Sequence, residues 1–302
     1  MSAMNGRNRC FLLVIMISVA FRADGQTAVS DTAWLECVYD YRYLKDTVSR
    51  MSSADGSLVS GDSTHIIVDT MLLQIGGQAS RYYEYSTFYR DSLLEVFSSL
   101  SGAGIGKPWD NAVYMIYKDR SSGRTIMTDH IGVTPFMVAE PSPVFDWRIE
   151  DEWKEVCGYR VRKAVCSFRG RDYEAWFAPG LPVSDGPWKF SGLPGLILEV
   201  YDIPCEYRYV LIGLRQVRRP IGVPEENYLE TTLEKFYKTK KIAERDPAAY
   251  LESTYSGPVK YVNTEGERID PSVMRSEVNY DYQEREFQDS VPDSKLNFVK
   301  DC

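Results

Sequence analysis

Histidine is nearly missing from this 302-residue chain; His65 and His130 are the two it has. A zinc enzyme with histidine ligands would need both, plus carboxylates drawn from elsewhere. The sequence holds no His-Glu-x-x-His and no phosphate-binding Gly-Lys-Ser/Thr loop. It also lacks a Gly-x-Ser-x-Gly elbow, since Lys189 stands in the first glycine's place before Ser191. A Ser-His-Asp triad stays open, because its members need not be adjacent in sequence. The simpler reading makes both histidines ordinary sheet-end residues: His65 opens an apolar strand and His130 follows Asp129 near a turn. There is no Cys-x-x-Cys pair, so neither a zinc ribbon nor a thioredoxin-type centre is indicated. No metal and no cofactor are expected. Carboxylate pairs carry little information in so acidic a chain, and the 21 tyrosines suit strands first.

An excess of positive charge is also lacking. The formal net charge is −8. Arg7, Arg9 and Arg22 set against Asp24 make residues 1–25 basic, and the remainder is −10. An acidic body argues against nucleic acid and against an anionic membrane surface. Long apolar runs are confined to the N-terminus. Cys10 through Phe21, behind Arg7 and Arg9, is too short to span a bilayer and the right size for a signal h-region. Ser18-Val19-Ala20 and Ala23-Asp24-Gly25 are two alternative candidate cleavage sites, and residues 1–25 read as a signal peptide. Cys10 is too early and Cys37 too late for a lipid-modified N-terminal cysteine. The mature chain is expected to be exported, periplasmic or secreted, with no transmembrane segment. Export permits disulfides. Cys37, Cys157, Cys166, Cys205 and Cys302 then remain, an odd number, with Cys302 as the obvious thiol to be left over. The others are either small buried residues or include one structural disulfide.

What is present is strand-forming sequence. We expect one domain over residues 26–257 of α+β, mainly antiparallel class: a twisted meander sheet with two or more helices packed on it. Expected strands are Ala33–Tyr43, His65–Ile75, Ala112–Lys118, Thr125–Asp129, Val144–Ile149 leading to Trp153–Val156, Tyr159–Phe168, Asp172–Phe177, Leu196–Asp202 and Glu206–Leu214. Arg120-Ser121-Ser122-Gly123 and Arg169-Gly170-Arg171 make hairpin turns between them. Helical spacing predicts helices over Thr87–Leu100 and Tyr228–Arg245, and Asp246-Pro247 opens a further short one. From Glu265 to Cys302 there are ten acidic against five basic residues and few apolar ones. That composition cannot offset its ordering entropy, so residues 258–302 read as an acidic tail, disordered or loosely docked.

The most informative stretch runs from Gly186 to Asp202 and holds Gly192-Leu193-Pro194-Gly195-Leu196-Ile197. Proline second and glycine third suit a type II turn, with the positive φ at Gly195. Leu196, Ile197 and Leu198 then feed both faces of a buried strand. No side chain in Gly192–Ile197 performs acid, base, nucleophile or metal chemistry, so a folding role is preferred. The flanking Pro/Gly-rich loop presents Asp185, Trp188 and Lys189, with Trp176 on the strand before it. These four are the candidate ligand-binding residues, since aromatic platforms beside polar groups suit sugar and peptide sites. The competing reading, which we prefer, makes Trp188 and Phe190 core plugs at the sheet end.

This segment resembles the signature that names the GLPGLI family, exported Gram-negative bacterial proteins with no established biochemical activity. Further landmarks are similar: Asp91-Ser92, Thr128-Asp129 with Ile131-Gly132, Phe145-Asp146-Trp147, Gly158-Tyr159 with Lys163-Ala164, Phe168-Arg169-Gly170-Arg171 to Ala175-Trp176-Phe177, and Asp246-Pro247 with Tyr250-Leu251. One departure is Val161, where family members often carry cysteine, so no cysteine pairing is carried over. The resemblance implies an uncharacterised protein of the cell envelope. The leading expectation is a non-catalytic binding or assembly accessory, its partner an envelope protein, a peptide or a glycan. Whether it is an enzyme is left uncertain, more on the side of no. The alternatives are a hydrolase or other enzyme with a site near the Trp188 loop, and a carrier of an apolar ligand on a curved sheet. A deep dry cavity would favour the carrier, a cleft with converging carboxylates or a histidine the enzyme, and a shallow aromatic surface or open sheet edge the binding protein.

Overall fold

A computed structural model describes residues 31–52, 58–86, 114–132, 134–223, 227–254, 259–261, 267–268, 270–271 and 284. Twelve strands among them form one sheet. They are β1 (Asp31–Ser52), β2 (Leu58–Ile75), β3 (Ala79–Glu84), β4 (Met115–Asp119), β5 (Arg124–Ile131), β6 (Thr134–Pro141), β7 (Arg148–Val156), β8 (Tyr159–Phe168), β9 (Arg171–Ala178), β10 (Leu196–Asp202), β11 (Tyr207–Ile221) and β12 (Leu229–Thr231). Two helices follow, α1 (Leu233–Arg245) and α2 (Pro247–Thr254). The mainly antiparallel α+β expectation is met.

The sheet order is β12-β6-β5-β4-β3-β2-β1-β11-β10-β9-β8-β7. It is two meanders, β1 to β6 and β7 to β11, joined where β1 pairs antiparallel with β11. Only β12, beside β6, runs parallel to its neighbour. The connection from β6 to β7 dictates the shape. These strands stand ten places apart in the sheet, about 48 Å if it were flat. Six residues, 142–147, link Pro141 to Arg148, and such a link reaches about 25 Å at most. The sheet must therefore coil strongly, bringing its two ends together. An ion pair between Glu140 of β6 and Arg169 of the β8–β9 turn, at 2.6 Å, closes the gap between them.

Strand alternation sends one set of side chains into the coil. Tyr39 and Tyr41 of β1, Met71 and Leu73 of β2, Tyr82 of β3, Ile116 of β4, Met127 of β5, Val138 of β6, Tyr173, Ala175 and Phe177 of β9, and Tyr209 and Leu211 of β11 build its interior. The β9–β10 loop fills the middle with Trp188, Phe190 and Leu193, and the β6–β7 link adds Phe145 and Trp147. Phe145 contacts Trp147, Phe168 and Phe190 with ring centroids 4.5–5.6 Å apart. Helix α1 seals the β6 end, its Phe236 edge-on to Phe136 at 5.8 Å.

Several boundaries moved. The long strands β1, β2 and β11 run well beyond their expected limits, and β3, β6 and β12 were not foreseen. In β6, Pro135 and Pro141 sit at the strand's ends, where a proline costs little but reads as a break. The helix expected from Tyr228 begins at Leu233, because Leu229–Thr231 pair with β6 and Thr232 caps the helix by accepting from Lys235 N. Leu229 is accordingly exposed, while Leu233 and Phe236 are buried. Asp246 does cap α2, its carboxylate accepting from Ala249 N at 3.0 Å. The helix expected over Thr87–Leu100 lies outside the described residues.

Candidate functional site

The loop from Pro179 to Gly195 folds back on β10 by main-chain bonds. Leu181 N donates to Ala178 O, Leu196 N to Leu181 O and Ile197 N to Asp185 O, at 2.9–3.0 Å. The Tyr39 hydroxyl reaches from β1 to the Ile197 carbonyl at 2.7 Å. Leu193, Leu196 and Ile197 are buried, as a folding element requires. The type II turn is corrected. Gly192, not Gly195, has a positive φ, at 95°. Gly195 is required by space: a Cβ there would stand 2.2 Å from the Ala178 carbonyl oxygen. Proline-glycine sequence suggests a turn geometry but does not show which strand will press against it.

The four candidate residues go to separate places. Asp185 is buried and pairs with Lys118 at 2.5 Å and Arg120 at 2.9 Å, both from the β4 end across the coil. Lys118 also donates to the carbonyls of Gly186 and Phe190. Burial pushes the Lys118 pKa below its ordinary value, with Asp185 opposing. Trp188 is 2% exposed and donates its indole N–H to the Tyr114 hydroxyl at 2.6 Å. Its rings pack on Phe168 and Phe190, and its backbone has φ 49°. Lys189, with no side-chain exposure, meets Glu140 and Glu284 at 2.7 Å each. Trp176 alternates to the other face of β9 from Tyr173, Ala175 and Phe177, and is buried there, at 6% exposed. There its indole donates to Glu174 at 2.9 Å and Lys154 lies 4.2 Å over its ring.

Trp188 and Lys189 thus belong to the interior plug, Asp185 to a clamp across the coil, and Trp176 to the opposite face. The outer face carries its own ladder. Lys163 pairs with Glu174, Glu199 with Lys154 and Arg208, and Tyr201 donates to Glu174. The same face bears exposed Ile66 and Val68 on β2, Ile212 on β11, Trp34 on β1 and the Asp40–Arg42 ion pair. Sequence reasoning missed Glu140, Arg169, Tyr237 and Glu284 around Lys189. It also missed the buried Arg171, which pairs with Asp202 and Glu206 at the base of the β10–β11 turn. The Arg169-Gly170-Arg171 turn was visible, but its partners lie far away in sequence, and nothing in an acidic tail distinguishes Glu284.

The His130 backbone N–H donates to Asp129, whose carboxylate also pairs with Lys240 of α1 at 2.8 Å. The His65 side chain lies outside the described residues. Cys205 is disulfide-bonded, while Cys37, Cys157 and Cys166 are free thiols. Burial pushes the Cys166 thiol up to about 12. The expectation for Cys302 lies outside the described residues. Among the described residues, no three of His, Cys, Asp and Glu gather as a metal site, and no helix is long and apolar enough to cross a membrane. A cavity of about 530 Å³ is an open furrow along one strand, lined by Arg215 to Pro220.

Residues 168–199 match a family model described as "Protein of unknown function (Porph_ging)". The matched stretch contains β9, the plug loop and the Gly192–Ile197 segment. No curated protein matches the sequence. Among solved structures, PNGF-II in the P21 space group is similar at 11% identity and a TM-score of 0.47, over 70% of this chain and 34% of that one. PNGF-II in the C2 space group is similar at 12% identity and a TM-score of 0.46, over 70% and 33%. This chain therefore spans about a third of the length of those chains.

Proposed function

We propose that this is a non-catalytic binding or assembly accessory protein of the cell envelope, engaging its partner across the outer face of the sheet. One observation carries the reading: the coil's interior is plugged by its own loop, and the loop's charged side chains close on partners within the chain. Asp185 faces Lys118 and Arg120, and Lys189 faces Glu140 and Glu284. The enzyme alternative placed its site near Trp188, which here is core. The carrier alternative needs the interior space that Trp188, Phe190 and Leu193 occupy. The outer face is in part buried around Leu72, Tyr83, Met115 and Tyr117, and elsewhere it exposes Trp34, Ile66, Val68 and Ile212. Covering these four side chains with a partner would take apolar surface out of water. Export by residues 1–25 into the periplasm or beyond sets the compartment of this reading.

The test is capture from envelope extract by the signal-free protein, with a Val68→Glu/Ile212→Glu double variant beside it. The expected result is a specific peptide, glycan or envelope-protein partner held by the parent and lost by a double variant that melts like the parent. Equal capture by both would remove the outer face from the argument. Turnover of a glycan or peptide by the purified protein would overturn the non-catalytic class.

A further inference from the structure

The interior face of the coil has a second polar region, along β1, β2 and β3. An aromatic row leads to it from the plug. Tyr209 is edge-on to Phe190 with ring centroids 6.2 Å apart, Tyr41 stacks on Tyr209 at 4.4 Å, and Tyr43 stacks on Tyr41 at 5.0 Å. Tyr43 is half-buried. Register places two carboxylates beside it. Asp69 of β2 stands opposite Tyr41 and, because Tyr43 faces Ile67, diagonal to Tyr43. Glu84 of β3 faces Met71 and is therefore diagonal to Asp69. Diagonal neighbours of this kind lie about 7–8 Å apart. Alternation puts Asp69 and Glu84 on the interior face with Met71 and Tyr82, and both are half-buried.

Elsewhere in the sheet, carboxylates out of water are matched by cations. Glu36 has Arg215, Asp185 has Lys118, Asp202 has Arg171 and Glu199 has Lys154. Among the described residues, no lysine, arginine or histidine pairs with Asp69 or Glu84. Glu84 accepts from the Ser86 hydroxyl at 2.6 Å, which brings no charge. Burial, and then Glu84, push the Asp69 carboxyl above its ordinary value. Burial, and then Asp69 and Glu84, push the Tyr43 hydroxyl up, so both charges are felt at that ring.

A second, independent feature points to the same place. Tyr82 is 1% exposed, and its hydroxyl has no hydrogen-bond partner. It stands two residues before Glu84 on the same face, edge-on to Tyr209 at 6.3 Å. Burial first, and then Tyr41, Tyr114, Tyr39 and Asp69, push this hydroxyl up, so it faces the tyrosine row and the carboxylate. Buried hydroxyls are nearly always paired, and an unpartnered one needs a reason.

The chemistry of the group selects its ligand. Two uncompensated carboxylates call for a cation. Three acceptors, Asp69, Glu84 and the Tyr82 hydroxyl, match the three N–H donors of a primary ammonium. The Tyr43 ring face away from Tyr41 attracts the same charge. A calcium ion takes six to eight oxygen ligands, and among the described residues no third carboxylate or histidine joins this pair. The four-carbon stem of a lysine can lie along the tyrosine row and deliver a compact charge, whereas a guanidinium is broad and planar.

We propose that Asp69, Glu84, Tyr82 and Tyr43 form a binding site for a primary ammonium group, that of a lysine side chain in a peptide. The site lies on the interior face, so this inference stands apart from the outer-face reading and can fail or hold without it.

The experiment uses the full chain and ligand-observed NMR titration. Its probes are N-acetyl-lysine amide, the same compound acetylated at Nε, tetramethylammonium and calcium, all in chloride at matched ionic strength. The parent should bind the lysine amide saturably. It should bind at least tenfold more weakly both the Nε-acetylated form, which has lost the charge, and tetramethylammonium, which keeps the charge but has no N–H. An Asp69→Asn/Glu84→Gln double variant should lose at least tenfold in affinity for the lysine amide. Tyr82→Phe should bind it at least threefold more weakly while melting no lower than the parent, since it removes only a hydroxyl without a partner. Absence of saturable binding by the parent, equal affinity for the lysine amide and its acetylated form, or tighter binding of calcium overturns the site. So does a Tyr82→Phe variant that binds like the parent. Should the double variant purify poorly, the comparison of probes on the parent decides alone.

Discussion

Gly195→Ala puts the packing of the plug loop to the test. The added methyl would stand 2.2 Å from the Ala178 oxygen and 2.7 Å from its carbon. Non-bonded heavy atoms rest at about 3.5 Å or more, so the backbone must open by more than 1 Å. What must open is a junction. Ala178 O accepts from Leu181 N at 3.0 Å, and Leu196, next to Gly195, pairs with Ala178 in the β9–β10 ladder. Overpacking of this kind costs about 1–3 kcal/mol, and loss of the carbonyl's hydrogen bond adds about 1 kcal/mol. The expected destabilisation is about 3 kcal/mol by equilibrium urea unfolding. Gly180→Ala is the control in the same loop. Nothing lies within 4 Å of its added Cβ, so it should be neutral or stabilise slightly by restricting the unfolded chain. A Gly195→Ala midpoint within error of the Gly180→Ala midpoint would refute the close approach as the reason for glycine here.

Trp188→Ala should cost about 3–5 kcal/mol in the same assay, because it empties the middle of the plug, while Trp188→Phe should cost about 1–2 kcal/mol through loss of the donor to Tyr114. A Trp188→Ala loss below about 1 kcal/mol would return this side chain to the list of binding residues. Acid should unfold the protein in a way traceable to Glu140. Burial opposes its ionisation, but Lys189 and Arg169 outweigh that and hold its carboxyl below the ordinary value. A depressed folded pKa gives stability that is fully present above the ordinary glutamate value, about 4.3, and is lost as pH falls through the lower folded one. Glu174, held down by Tyr201 and Lys163 against its burial, adds in the same direction. Unfolding free energy measured from pH 7 to pH 3 should therefore drop below about pH 4.5, and Glu140→Gln should flatten that drop. A Glu140→Gln profile as steep as the parent's would show that the pair contributes nothing to acid stability.

Local patterns carried what the sequence determined unaided. The hairpin turn after Tyr159–Phe168 and the apolar run that opens Leu196–Asp202 placed β8 and β10 to the residue, and the capping sequence Asp246-Pro247 placed the start of α2. The apolar content of Gly192–Ile197 marked it as core for the same reason: burial of leucine and isoleucine follows from side-chain chemistry alone. Tertiary structure decided what depends on contacts between distant residues. The short β6–β7 link forces the sheet to coil, and only that coil brings Glu140, Arg169, Lys189 and Glu284 into contact across intervals of up to 144 residues. It also puts Trp176 and Trp188 on opposite faces of the sheet, both buried, although both looked alike as aromatic residues near one loop. Charge pairing and close approach have no local signature, because an ion pair or a missing Cβ is specified by the partner, and the partner is chosen by the fold.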